Sequence, residues 1–219
     1  MPLKLIESPI TYPLAIPNGA LLPDATALRE TADALAIAER SGDELALHIT
    51  RFARGITLAH RGGRERDAGF ALLAQAREAA VQQRFTVTVV PVVDIQVARE
   101  KARSGDLDGA IELARAVVAD LFDSGGAVWS VLATTVLVEA LSRRGSDGDI
   151  PAAQAAVDRL AAVTDPGLVL NELPLLRLRA LLARAVGDEA GYREFRDRYR
   201  AKATECGFEG HMALAEAMT

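Results

Sequence analysis

Apolar residues along this chain recur every three or four positions in blocks of fifteen to twenty, and short polar clusters containing glycine separate the blocks. In DATALRETADALAIAER, Leu28, Leu35 and Ala38 share a face, with Thr31, Ala32 and Ala34 at small positions between them. DELALHITRFARGITLAH carries Leu45, Ile49, Phe52, Ile56 and Ala59 as one stripe, and RERDAGFALLAQAREAAVQQ carries Phe70, Leu73, Ala76 and Ala80. DLDGAIELARAVVADLF repeats the pattern through Ala110, Leu113, Val117 and Leu121. Each stripe predicts an amphipathic helix with one buried side.

The breaks are as regular as the blocks. The tetrapeptide RSGD stands at Arg40–Asp43 and again at Arg103–Asp106. Its glycine suits the left-handed residue that ends a helix, and its aspartate suits the acceptor that caps the next one. Related corners occur at Gly62–Gly63, Gly125–Gly126, Gly148–Asp149 and Gly187–Asp188. Gly105 and Gly148 are 43 residues apart, and Gly148 and Gly187 are 39 apart. A period near forty with two helices per period predicts an all-α fold, an α-α superhelix built as a tetratricopeptide-like solenoid of antiparallel hairpins, with about nine or ten helices. PVVDIQVAREKARSGD also aligns with PLLRLRALLARAVGD, so Pro91 and Pro174 correspond. The strict 34-residue tetratricopeptide pattern is absent, which marks the repeat as degenerate.

Two segments depart from the pattern. Residues 1–22 are punctuated by Pro9, Pro13 and Pro17, and proline disfavours a helix here, so an extended arm or a linker is expected, with the helical repeat domain over 23–219. Thr86 to Val90 have high β propensity and raise a short strand as the rival reading. Pro91 suits the first turn of a helix better than a central strand, so an extended entry and a helix from about Pro91 to Arg103 are expected.

Composition narrows the class further. Of 219 residues half are hydrophobic, only 5% are aromatic, and a quarter are charged with a net charge of −5. Alanine and leucine dominate the apolar set, which favours closely packed helices. The negative balance argues against a general nucleic-acid or acidic-membrane binder. The lone cysteine, Cys206, cannot form an intramolecular disulfide, and the N-terminus does not read as a signal peptide, so a cytoplasmic protein is expected.

Candidate chemistry is sparse. There is no phosphate-binding G-x-x-x-x-G-K-[ST] loop, no G-x-S-x-G elbow and no H-E-x-x-H helix. His48, His60 and His211 lack metal-ligand spacing, with or without Cys206. Asp106–Gly109 and Ser146–Asp149 superficially resemble calcium loops but lack the further ligands, and capping explains them. The RGGRER turn at Arg61–Arg66 could hold a phosphate, although a polar turn accounts for it. In GYREFRDRYRAK, Tyr192, Phe195 and Tyr199 form an aromatic stripe among Arg193, Arg196, Arg198, Arg200 and Lys202. A nucleic-acid reader could carry such a helix, but one with its aromatic side packed is the better account. No catalytic, cofactor-binding or metal-binding residue is assigned, no cofactor is expected, and the chain reads as a non-enzyme.

The closing run GDEAGYREFRDRYRAKATECGFEGHMALAEAM resembles the end of a family of large bacterial signalling proteins. In that family a class III adenylate/guanylate cyclase domain, or a LuxR-type regulator architecture, is joined to an AAA-like ATPase and a long tetratricopeptide-like C-terminal region. AERSGDELAL, GITLAHRGG, PVVDIQVAREKARSGDLDGAIELARA and LRLRALLARAVGDEAGYR resemble earlier parts of that region, so the likeness runs from about residue 32 onward. The family's metal-binding aspartates and its ATPase loop have no counterpart here, so no catalytic residue carries over. The resemblance implies a non-catalytic interaction and regulatory module whose concave face binds a protein partner or an adjoining cyclase or ATPase domain. The alternative is a sensor holding a small-molecule effector between hairpins. Neither nucleic acid nor membrane is an expected partner.

Overall fold

A computed structural model describes residues 9–83, 88–165 and 167–218. Among these residues there are eleven helices and no strand: α1 (Tyr12–Ala15), α2 (Ala25–Ser41), α3 (Glu44–Ala59), α4 (Gly63–Gln83), α5 (Val89–Ser104), α6 (Leu107–Asp123), α7 (Ala127–Arg144), α8 (Asp149–Val163), α9 (Val169–Ala185), α10 (Glu189–Cys206) and α11 (Glu209–Glu216). Helices adjacent in sequence pack as pairs, which is the all-α hairpin class that the glycine period predicts. The count exceeds nine or ten because α1 and α11 are short elements that leave little periodic trace.

The glycine–aspartate corners are built as their chemistry requires. Gly42 and Gly105 adopt φ of 72° and 97°, conformations that a side chain would strain. Asp43 then accepts the Ala46 amide at 3.0 Å, Asp106 accepts that of Gly109 at 3.0 Å, and Asp188 accepts that of Gly191 at 2.9 Å. Each bond satisfies an amide that the first helical turn leaves without a partner. Lys101, 2.6 Å from Asp106, and the Gly109 amide hold this carboxyl below its usual range.

The chain divides into two compact units. The first comprises Met1–Val93 with Cys206–Gly210, and the second Asp94–Glu205 with His211–Thr219. In the first unit, α3 packs on both α2 and α4. The α3–α4 seam is made by small residues: a Cβ built on Gly69 would lie 2.4 Å from the Ala59 nitrogen. This close approach corrects the stripe read for α3. Ala53, Ile56, Thr57 and Ala59 are buried, whereas Leu45 and Ile49 stay exposed, because the seam centres on small side chains and not on the largest apolar ones. Arg54 of α3 donates to the Leu28 carbonyl and to Thr31 Oγ1 at 3.2 Å, fixing α3 against α2.

From residue 9 the N-terminal segment is coiled, with Tyr12, Ala15, Ile16 and Ala20 buried. Pro13 sits in the first turn of α1, where its missing amide costs no helical bond. Tyr12 donates to Glu30 of α2 at 2.7 Å, so the segment is anchored within the first unit.

In the second unit a continuous core runs through Ile95, Ala98, Ile111, Val117, Val138, Leu141, Val157, Leu160 and Leu178. Helix α7 packs against α6, α8 and α9, which makes it the central rod of this unit. The short-strand alternative at Thr86–Val90 falls partly on 84–87, outside the described residues; α5 is already helical at Val89, with Pro91 in its first turn. Pro174, which aligns with Pro91, sits deeper in its helix than Pro91 does. It lies inside α9, which begins at Val169, and is buried there. Its ring forfeits one backbone bond to the preceding turn, and burial of the surrounding Leu173, Leu175 and Leu176 offsets that loss.

Candidate functional site

The second unit places charge inside an apolar frame. Helix α7 has one charged residue between Ala127 and Ser142, namely Glu139, and it faces Arg177 of α9. The two side chains pair while only 30% and 15% exposed. Burial works against the Arg177 charge, but the charge and hydrogen bond of Glu139 outweigh it and hold the guanidinium proton more firmly than usual. Arg99 of α5 also feels Glu139 and Arg177. There desolvation prevails, and its hold on the proton is weakened. Arg99, Glu139 and Arg177 are separated by 40 and 38 residues and lie on α5, α7 and α9.

Glu139 and Arg177 border a cleft of about 430 Å³ that is also lined by Ser142, Arg143, Leu181, Arg184 and Ala185. Three arginines and one glutamate therefore line the cleft, with Arg177 paired to Glu139. Arg184 lies 5.3 Å from the centre of the Tyr192 ring, a cation–π contact that steadies it. Arg143 is exposed and makes no ion pair among the described residues. The Ser142 hydroxyl is buried and has no hydrogen-bond partner. That is an uncommon state for a buried polar atom.

The neighbouring corner uses its charges differently. Arg144 grips Asp149 through two bonds, of 2.9 and 2.6 Å, and reaches Asp108 at 2.6 Å. Asp149 also accepts the Ser146 amide at 2.9 Å, and Arg144 foremost holds its carboxyl below the usual range. The Ser146–Asp149 motif is thus an ion-pair anchor. Its Gly148 is the N-cap of α8, without a side-chain bond.

The remaining sequence candidates fall into structural positions. His211 is buried with its Nδ1 2.7 Å from the Tyr199 hydroxyl, and the two rings meet edge to face. Burial above all pushes the Tyr199 phenol well above its ordinary range, with Glu139 adding to the rise and Arg177 opposing it. In the 61–66 turn, Arg61 reaches Glu65 at 3.0 Å and the Pro23 carbonyl at 3.2 Å, and Arg66 reaches the Ala59 carbonyl at 3.3 Å. These arginines tie the turn to the first unit. Tyr192 and Tyr199 are buried and Phe195 half-buried, so the aromatic face of α10 packs. Lys202 from the same helix lies 3.4 Å from Glu172. Among the described residues no group of three or more His, Cys, Asp or Glu side chains comes together as a metal site. No helix among them is long and apolar enough to cross a membrane.

The fold and the cleft define a helical-hairpin protein with an arginine-lined recess in its second unit. Comparison with protein-family models, with curated proteins and with solved structures yields no match to this chain. Sequence reading assigned no residue to the cleft, although a lone glutamate on an otherwise apolar helix was a usable signal. Its arginine partner lies 38 residues away and becomes visible as a partner only once α7 and α9 are packed.

Proposed function

We propose that this chain is a non-catalytic helical-repeat interaction and regulatory module of a signalling protein, and that a segment of a partner protein or of an adjoining cyclase or ATPase domain binds in the α7–α9 cleft. The observation that carries the reading is the Glu139–Arg177 recess itself. Helices α7 and α9 present polar groups beside a cavity, which is how helical repeats read a ligand without reaction chemistry. The sequence resemblance to cyclase- and ATPase-linked regulators supports the choice of partner class. A photoreactive amino acid at Leu181, in the cleft, and another at Gln154, exposed on α8, test it against purified cyclase and AAA-like ATPase domains. Cross-linking from position 181 and not from 154 is expected. Equal cross-linking from both positions, or from neither, overturns the proposal.

A second reading, a small-molecule effector sensor, is favoured by one observation. The cleft volume of about 430 Å³ lies within the ~300–1,000 Å³ typical of small-ligand sites. Thermal stabilisation by a metabolite, with no cross-link to either domain, selects this reading over the first.

A further inference from the structure

We propose that the groove between α6 and α8 docks an acidic amphipathic helix of a partner protein, whose aliphatic side chains enter the groove and whose carboxylates meet Arg115 and Arg159. This is a second surface of the second unit, and it goes beyond the α7–α9 reading without resting on it.

The groove is built from small and apolar side chains. Helix α7 packs against both α6 and α8, and its buried Leu137 closes the bottom of a space of about 280 Å³. Val118, Ala119 and Phe122 of α6 form one wall, and Ala155 and Ala156 of α8 form the other. Ala119 and Ala155 are exposed at the rims. Alanine there lets another helix come close, because the distance between packed helices follows the size of the side chains at the contact. A groove of this kind takes the apolar face of a guest helix.

Charge decides which helix. The α7–α9 cleft and the recess beside the 61–66 turn each include a carboxylate, Glu139 and Asp24. No carboxylate lines the α6–α8 groove, and its two charged residues are both arginines. Neither forms an ion pair among the described residues; Arg115 adds only longer-range attraction to Asp149, which Arg144 already holds. Arg159 reaches from α8 to α6 and lies 4.0 Å from the centre of the Phe122 ring. Stacking fixes the plane of the guanidinium and leaves its N–H edge open to a carboxylate. Exposed cations at the rim of an apolar groove select a partner by sign of charge, while the groove supplies the burial.

Spacing then sets the pattern of the guest. Arg115 and Phe122 are seven residues apart on α6, two turns or about 10 Å. Arg159 is held at the Phe122 end, so the two arginines mark the two ends of the groove. A guest helix meets both with glutamates seven residues apart, and fills the space between with aliphatic side chains three and four residues after the first.

The intact chain is titrated at low ionic strength with a fluorescent, blocked peptide of ~15 residues carrying that face, Glu-x-x-Leu-Ala-x-x-Glu. Two controls accompany it: the same peptide with glutamine for glutamate, and one of identical composition with its glutamates on the opposite face. Saturable binding about 5-fold or more tighter than either control is expected, with the preference shrinking as salt is added. Arg115→Glu and Arg159→Glu should each weaken binding several-fold, and Ala155→Trp, which fills the groove without changing charge, by ~10-fold or more. Arg143→Glu, in the other cleft, should change nothing.

Equal binding of the opposite-face peptide, indifference to Ala155→Trp, or no saturable binding overturns the proposal. A dimer of the free chain that Ala155→Trp disperses in sedimentation assigns the groove to a second copy and also overturns it. Should Arg159→Glu lose helical content with its Phe122 contact, Ala155→Trp at an exposed position still decides the matter. None of these results bears on the cross-linking test of the α7–α9 cleft, because the two sites share no lining residue.

Discussion

Gly69→Ala is expected to destabilise the protein although it replaces the poorest ordinary helix former with the best. In an open helix the exchange stabilises by about 1 kcal/mol. Here the new methyl would stand 2.4 Å from the Ala59 nitrogen, 2.8 Å from the Leu58 carbonyl carbon and 2.9 Å from the Gly55 oxygen. All three are backbone atoms, so no rotamer can yield, and α4 must retreat from α3 by about 1 Å to reach ordinary contact. A gap of that size forfeits roughly a quarter to a half of each dispersion contact across the seam. Ile56 and Leu73, both fully buried, lie in the same packed region. Overpacking costs about 1–3 kcal/mol, and a backbone clash belongs at the upper end. Subtracting the propensity gain leaves a net loss of about 2 kcal/mol. For a chain of this size that is a fall in Tm of roughly 4–8 °C. Calorimetric melting of Gly69→Ala beside Gly62→Ala provides the assay, because a methyl at Gly62 meets nothing within 4 Å and its backbone is unstrained. Gly55→Ala should fall between them, since its methyl chiefly meets the flexible end of Leu73 at 2.9 Å. If Gly69→Ala melts at or above Gly62→Ala, the close α3–α4 approach is wrong.

Other outcomes are equally open to measurement. Tyr199→Phe removes the 2.7 Å bond to His211 inside the core and should cost about 1–2 kcal/mol in urea unfolding, whereas an unchanged midpoint would show that the bond contributes nothing. Because the folded phenol is raised above its ordinary 10.0, its contribution is complete below that pH and is lost as pH rises toward the folded value. Stability should therefore fall in alkali, and less so in Tyr199→Phe. Asp106 and Asp149 shift the other way, below 3.8, so their contribution is present above that pH and is lost as pH falls through the folded values. Melting temperatures compared at about pH 5 and about pH 3 should drop, and Asp149→Asn should melt lower than wild type at about pH 5 with a smaller drop on acidification. Gly105→Ala, at φ of 97°, should destabilise the α5–α6 corner by about 1–2 kcal/mol, and an unchanged melting temperature would contradict the left-handed corner.

The amino-acid sequence by itself determined the helical class, the corners and their chemistry, because those depend on interactions within a few residues. A glycine that can turn left-handed and an aspartate that can accept an amide three residues on need no distant partner, and Gly42–Asp43 and Gly105–Asp106 behave as local rules require. The packed aromatic face of α10 was legible for the same reason, since Tyr192 and Tyr199 share one side of a regular helix. Tertiary structure decided what depends on neighbours remote in sequence. It set the α3 seam on glycine and alanine, leaving Leu45 and Ile49 exposed, because backbone proximity rewards the absence of a side chain that hydropathy does not register. It placed Pro174 inside α9, where packing outweighs a lost backbone bond. It also joined Glu139 to Arg177 across 38 residues, making a recess between two helices. Electrostatic pairing falls off with distance in space and is indifferent to distance along the chain, so only the packed fold could bring those charges together.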